Sequence, residues 1–392
     1  MSTTRPIRTS VRASLLSLFG LAALLTLSPT ASATISKVEG FPHNINATSG
    51  FALSNSADLV FSASDGSVQA LYSVPTASSG VHLTINGNNF GETFRAAGVT
   101  RSNTVSALSG TDALLVSGAG GPGVTVITIR GNLFAAPNGF SDAQPEDSGS
   151  LVAVARQTQG ASFGEMVRRF STDATGSLSS TPVFSASDLG DRPYTQLSSD
   201  GRGNVAVRAA STLPNGSPRD ITTDPILVAR SSGGVRLTVR GESFGLHSLS
   251  QPDIDGDGIA FFGTSASGQK RIVHRDLATF SVLLDTTAPS DIQRVALSTG
   301  HGVCFSTLTG IFLAKPNGAH EPIISIGDAL DGSTVTGFTF DPRGLNDNGI
   351  LAFHATLANG TDAFFLTPIP TPAAATLAAL TLLGANRRRR NP

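Results

Sequence analysis

Tryptophan is absent from this sequence, and tyrosine occurs only at Tyr72 and Tyr194, against 22 phenylalanines. Exposed indole and phenol faces are what sugar-binding platforms favour, so a carbohydrate-processing surface of that kind is disfavoured. A single cysteine, Cys304, excludes an internal disulfide framework. It lies in Val303-Cys304-Phe305, the setting of a buried strand, and reads as an inert core residue. Methionine occurs twice, and charged residues make up only 14% of the chain. Of the seven histidines (His43, His82, His247, His274, His301, His320 and His354), none stands at H-E-x-x-H or similar metal spacing. They could converge only if several repeats placed them on a common axis. Gly120-Gly121-Pro122-Gly123 follows an apolar run, but no Gly-Lys-Ser/Thr follows it, so it reads as a turn rather than a phosphate loop.

What is abundant is glycine, serine and threonine, with many Asn-Gly and Asp-Gly steps. That composition points to short strands joined by tight turns. With 40% hydrophobic residues the chain can build a packed core.

Apolar runs are confined to the two ends. Arg5, Arg8 and Arg12 precede a short apolar core from Ala13 to Leu27, and Ala31-Ser32-Ala33 supplies small residues for cleavage. Residues 1–33 therefore read as an export signal, the core being short for a membrane span. At the other end Ile369-Pro370-Thr371-Pro372 leads into AAATLAALTLLGAN, and Arg387 to Arg390 form an unbroken basic run. The competing reading is an ordinary C-terminal helix. Setting these seven arginines apart from 27 basic residues leaves 20 against 28 acidic, a balance of −8 for the remainder. That argues against nucleic acid and against a basic membrane-surface patch.

The C-terminal pattern resembles the sorting signal of bacterial PEP-CTERM proteins: a short proline motif, an apolar segment and an arginine cluster. The resemblance implies a sortase-type processing enzyme, transient membrane association through residues 373–386, and delivery to the cell surface, outer membrane or extracellular matrix. Thr371 departs from the pattern, which usually has Glu there. Which sortase acts, and whether the tail is cut or kept as an anchor, stay open.

Between the ends the chain repeats. Asn346-Asp347-Asn348-Gly349-Ile350-Leu351-Ala352-Phe353 has the form N-x-x-G-x-x-A-F. Related stretches are NSADLVF ending at Phe61, DGRGNVAV at Val207, DGDGIAF at Phe261 and TGHGVCF at Phe305, with weaker copies TDALLV at Val116 and EDSGSLVAV at Val154. Seven copies at about 49 residues apart announce a repeat architecture. A second element shares the register: LTINGNNF from Leu83, ITIRGNLF from Ile127, LTVRGESF from Leu237, and degenerate versions from Pro182, Ser281 and Ile324. That is six copies against seven. Thr34 to Gly40 (TISKVEG) reads like the missing one.

A unit of this length fits a four-stranded blade, so the fold expected is an all-β propeller of seven blades over residues 34–367, flanked by the signal (1–33) and the anchor segment (368–392). The N-terminal strand should pair after Asp362–Leu366 and close the ring, removing exposed edges. The motif strand is expected innermost in each blade, with Ala and Phe on opposite faces because neighbours alternate. A β-solenoid is the alternative. The unit, together with GIFLAKPNG, IGDALDGSTV and GLNDNGILAFHATLANGTDAFFL, resembles exported bacterial tandem-repeat proteins named for the NxxGxxAF motif, which carry interchangeable anchors. That resemblance implies location and architecture and brings no reaction.

Candidate sites are sparse. Asp253-x-Asp255-x-Asp257-Gly258 could surround calcium with hard oxygen ligands, but Phe261 and Thr264 stand where further ligands are wanted. The same residues also serve as the repeat's own turn. Gly241-Glu242-Ser243-Phe244-Gly245 matches the G-x-S-x-G nucleophile elbow, yet Asn89 and Leu133 replace Ser243 in the sister elements, which points to a repeat rather than a catalyst. Asn46-Ala47-Thr48, Asn215-Gly216-Ser217 and Asn359-Gly360-Thr361 are glycosylation-type triplets that read as turns. No acid–base constellation emerges. The function expected is a non-catalytic exported interaction or structural module, with a surface polysaccharide or protein as partner. The alternative is a glycan- or polymer-acting propeller enzyme with its site at the channel mouth.

Overall fold

The computed structural model describes residues 35–39 and 46–369, apart from 65–68, 76–82, 87–93, 101–102, 118–124, 131–138, 160–161, 174, 186–193, 210–224 and 232–235. The described residues form strands and short 3-10 turns, with no α-helix among them. Strands group into seven antiparallel sheets: five are blades of four strands in chain order, blade 5 splits its first strand into Leu246–Leu249 and Asp253–Asp255, and blade 7 adds a short strand at Ala329–Leu330 and takes its outermost strand from Ser36–Lys37. Blades 1 to 7 span residues 46–86, 94–129, 140–184, 194–239, 246–287, 294–325 and 329–368. From blade 1 to blade 6 the first strand of each blade touches the first strand of the next, and the 3-10 turn Pro342–Gly344 of blade 7 touches the first strands of blade 6 and of blade 1, Asn46–Leu53. The first strands therefore surround the axis and the fourth strands form the rim.

Closure follows the expectation. Ser36–Lys37 pairs antiparallel with Asp362–Pro368, Ser36 opposite Leu366 and Lys37 opposite Phe365, as the fourth strand of blade 7. The Val38 N–H extends the pairing by donating to Phe364 O at 2.9 Å, and the Val38 side chain is buried. The other copies of the second element occupy the same outer place, from Leu83–Asn86 in blade 1 to Glu321–Ser325 in blade 6.

The motif strand is the second of its blade, not the innermost: Ile350–Leu357 lies between Ser333–Thr339 and Asp362–Pro368. The reason is burial. A second strand is flanked within its own sheet and covered on both faces by neighbouring blades, whereas a first strand lends one edge to the axis. Two copies also shift. TDALLV belongs to the third strand of blade 2, Asp112–Ser117, and the second strand is Val105–Ser109. There Asn103 (φ 60°) takes the left-handed position of the motif glycine and Ala107 replaces phenylalanine, so both sequence signals are missing. In blade 3, Gly149 (φ 78°) sets the register so that Ala153, rather than Val154, is the counterpart of Phe353.

The core consists of seven apolar clusters, one at each blade interface. Phe353 packs with blade 6 residues such as Cys304 and Ile311, while its neighbour Ala352 packs with Phe51 and Phe61 of blade 1. The same division recurs at Phe61 and Val60, at Phe261 and Ala260, and at Phe305 and Cys304. At the closing interface Phe364 lies 5.2 Å from Phe51 and 4.7 Å from Phe61 between ring centroids.

The repeat's polar residues shape the first turn. Asn346 Oδ1 accepts from the N–H groups of Asn348 (3.1 Å) and Ile350 (2.9 Å), and its Nδ2 donates to Ser54 O of blade 1 at 2.8 Å. Ser54, Thr100 and Asp200 close the corresponding turns through the N–H four residues on. Gly349 adopts φ 70°, and a Cβ there would lie 2.2 Å from the His301 ring. Glycine is required at that place twice over, by backbone and by contact.

Candidate functional site: the axial cavity

Each first strand runs toward the face that carries the first turns, here called the mouth face. The strand ends and turns of all seven blades line an axial cavity of about 90 Å³. Gln144 lines it from the first strand of blade 3 (Phe140–Pro145), with Asp142 beside it on that strand, and Asp253 and Asp255 line it from that of blade 5 (Asp253–Asp255). Arg343 lines it from the 3-10 turn of blade 7, whose N-cap is Asp341.

These side chains join one blade to the next. Asp142 accepts from Leu197 N of blade 4 at 3.3 Å. Gln144 accepts from Ser199 N at 2.9 Å and donates to Leu197 O at 2.8 Å. Two blades on, the pattern repeats with carboxylates: Asp253 accepts from Leu297 N (2.7 Å) and Asp255 from Thr299 N (2.7 Å), both in blade 6. Asp253 also accepts from Ser198 Oγ of blade 4 at 2.8 Å, so one carboxylate ties three blades together. Hydrogen bonds to charged groups of this kind contribute roughly 1.5–3 kcal/mol each.

The electrostatics are uneven. Asp341 is fully paired: Arg343 Nε and Nη2 reach its two oxygens at 3.0 Å each. Burial alone would raise the Asp341 carboxyl, but the guanidinium overrides it and holds the group below the usual carboxylate range. Arg343 loses hydration on burial, yet Asp341, Asp142 and Asp253 keep its pKa above the ordinary value. Asp142, with Arg343 Nη1 4.0 Å from its Oδ1, is still pushed up by burial. Asp253 is raised to about 7, chiefly by burial, with Asp255 adding to the rise and the bonds from Leu297 and Ser198 opposing it.

Over the cavity, Arg202 of blade 4 reaches across the mouth to Asp347 of blade 7 at 2.8 Å and approaches Asp255 at 3.9 Å. Asn55 holds Asp347 from the blade 1 side at 3.1 Å. Chemically, the cavity is a polar cavity braced by charge, small beside the roughly 300–1,000 Å³ of pockets that enclose organic ligands.

The residues singled out in the sequence fall as follows. Asp253 and Asp255 belong to this cavity as inter-blade acceptors, and Asp257 stands exposed in the adjoining turn, paired with Arg230. Among the described residues no group of three His, Cys, Asp or Glu side chains is arranged to hold a metal ion. Ser243 is exposed in a single 3-10 turn, Gly241–Phe244, followed by a strand (Leu246–Leu249). That lacks the helix a nucleophile elbow needs. The histidines are scattered: His247 is exposed, His274 lies buried on a third strand, and His301 packs on Gly349. His320 bonds Thr287 O, and His354 lies against Phe364. His43 and His82 lie outside the described residues, as do the signal and the anchor segment from residue 370 on.

Sequence reasoning missed Asp142, Gln144, Arg202, Asp341 and Arg343. A usable signal existed for the first two: Asp142-x-Gln144 and Asp253-x-Asp255 both stand just ahead of a motif turn.

No family model and no curated protein matches the chain. Solved structures match in fold. The β-propeller domain of the Trilobed protease from Pyrococcus furiosus aligns with TM-score 0.52 and 10% identity over 83% of this chain and 94% of that one. The WD40 domain from Toxoplasma gondii coronin gives 0.51 and 10%, over 87% of each chain. A prolyl endopeptidase gives 0.50 and 12%, over 87% of this chain, which spans half of that enzyme. At such identities the likeness is one of fold alone. The Pyrococcus domain is described as having an open velcro topology. Here the Ser36–Lys37 strand closes the last blade.

Proposed function

We propose that the chain is a non-catalytic, exported bacterial repeat protein that serves as an interaction or structural module at the cell surface or in the matrix. The observation that supports this reading is the use made of the axial acids. Asp142, Asp253 and Asp255 accept backbone N–H groups of neighbouring blades, and the axial cavity that Asp253 and Asp255 line measures about 90 Å³. Carboxylates so engaged brace the ring, and a sugar unit or peptide does not fit among them. Export and anchoring rest on the sequence of the two ends, with a sortase-type enzyme as processing partner. Mass spectrometry of the protein recovered from a bacterial envelope tests this part: a mature N-terminus at Thr34 supports export, and an intact Met1 in the cytoplasm overturns it.

A polymer-acting enzyme is the second reading. It is favoured by the convergence of Asp142, Asp253, Asp341 and Arg343, one of whose carboxyls titrates near neutrality. Release of reducing ends or peptides from envelope polymers by the full chain decides between the two. Turnover that disappears in Asp253→Asn would establish the enzyme, whereas no turnover in the wild type supports the module.

A further inference from the structure

Both ends of the described chain open on one face. The third strand of blade 7, Asp362–Pro368, runs back to the mouth face, where Ile369 N–H donates to Gly349 O of the first turn at 2.6 Å. Ser36–Lys37 pairs antiparallel to it, so the chain enters blade 7 from that same face at Ile35. Ile369 is buried in the core cluster of blades 6 and 7, so the propeller body extends to that residue. Only Pro370-Thr371-Pro372 separates it from the apolar segment starting at Ala373. Three residues span at most about 10 Å.

A second feature lies on the same face. The turn between the third and fourth strands of blade 5 also opens there, and Phe280 at its tip is 52% exposed, with Val282 at 46% and Leu283 at 56% beside it. Phe280 holds φ 59°, a left-handed conformation that bulky side chains avoid. The tip is nonetheless well built. Asp276 accepts from the N–H groups of Ala278 and Thr279, and the Arg275 guanidinium lies 5.2 Å from the Phe280 ring and 5.7 Å from that of Phe244. A rigid apolar tip backed by an arginine has the chemistry of an interfacial anchor, its ring in the acyl boundary and its cation at headgroup level. The acids of this face do not oppose contact with a neutral bilayer, because arginines pair with many of them: Arg169 with Glu146, Arg230 with Asp257, Arg202 with Asp347.

We propose that the mouth face is a membrane-docking face. It is held against the bilayer by the short linker after Ile369 and seated by Phe280, Val282 and Leu283, so that the axial mouth is covered while the tail stays attached. This rests on the reading of residues 373–386 as a membrane segment. The lipid is zwitterionic: the chain between its two ends carries a balance of −8, and Asp147 and Asp200 lie in first turns of this face, so an anionic surface would be repelled.

The test uses the full chain with an environment-sensitive fluorophore on one introduced cysteine, Thr279→Cys at the tip or Ser267→Cys in the opposite-face turn of the same blade. Cys304 is fully buried and does not compete for the label. Protein is floated with phosphatidylcholine vesicles carrying brominated acyl chains. Expected are co-flotation, quenching at position 279, none at 267, and loss of the 279 quenching in Phe280→Asn. Asparagine tolerates left-handed backbone, so that variant keeps the turn. Co-flotation with equal quenching at both positions, or with none at 279, overturns the docking face while leaving the tail as an anchor. Failure to float overturns the membrane reading of the tail and the docking face with it.

Discussion

Replacing Asp253 by asparagine should make the protein more stable at neutral pH, and increasingly so as pH rises. The carboxyl is raised from 3.8 to about 7 in the folded chain. Between those values the folded state keeps a proton that the unfolded state has released, so wild-type stability falls as pH climbs and the loss is complete above about 7. A shift of roughly three units corresponds to about 4 kcal/mol at full value. Asp253 is only partly buried and faces the axial cavity, so screening reduces that to about 2–4 kcal/mol. Asparagine can replace the proton without losing the bracing. Its Oδ1 accepts from Leu297 N, and its Nδ2 donates to Ser198 Oγ in the place where the hydroxyl now donates. Urea midpoints of full-length wild type and Asp253→Asn, measured from pH 4 to 8, should coincide near pH 4 and separate by about 2–4 kcal/mol at pH 8, the variant being the more stable. Other titrating groups cancel in the difference. Parallel profiles with a constant offset would refute the reasoning, since they would mean that the carboxyl ionises as it does in water.

Phe353→Ala should cost about 3–5 kcal/mol in the same denaturation assay, because the ring is fully buried at the interface of blades 6 and 7. Val38→Asp places a charge in the closing cluster and should cost roughly 3–5 kcal/mol, with limited proteolysis cutting blade 7 first. An unchanged digestion pattern would argue against closure through this strand. Gly349→Ala should cost about 1–3 kcal/mol, and less in a His301→Ala background, because the ring in the way is then gone. Calcium at millimolar concentration should give no heat in a calorimetric titration, since Asp253 and Asp255 hold N–H groups and Asp257 holds Arg230. A saturating heat abolished by Asp257→Asn would restore the ligand loop.

The blade count and the closing strand were legible because they depend on residues that recur. Asn346, Gly349 and Phe353 each do one thing that every blade needs: close a turn, turn left-handed, fill an interface. Blade 2 was misplaced where these signals are exchanged for equivalents that look different in sequence, Asn103 for the glycine and Ala107 for the phenylalanine. The place of the motif strand within its blade was misjudged because alternation reports that both faces are buried and says nothing of which neighbour lies nearer the axis. The fourth-strand element was the better guide to topology. Its weakest copy, TISKVEG, stands more than 300 residues from the strand it joins.

The axial charges were harder to read for a different reason: their pattern recurs only in blades 3 and 5, as Asp142-x-Gln144 and Asp253-x-Asp255, and Asp341 and Arg343 have no such counterpart. Asp142, Asp253 and Asp341 come from blades 3, 5 and 7, while blades 1 and 6 bring Leu53 and Leu297 to the cavity. One guanidinium, Arg343, serves three carboxyls. It binds Asp341 with two nitrogens, stands 4.0 Å from Asp142, and reaches Asp253 only through the field. The order of the titration shifts follows that geometry: Asp341 lowered, Asp142 raised, Asp253 raised to about 7. Burial penalises the charged form of each carboxyl, and Arg343 offsets it most at Asp341, where two of its nitrogens bond. Asp253, bonded from blade 5 to Ser198 of blade 4 and Leu297 of blade 6, reports on the junction of those three blades.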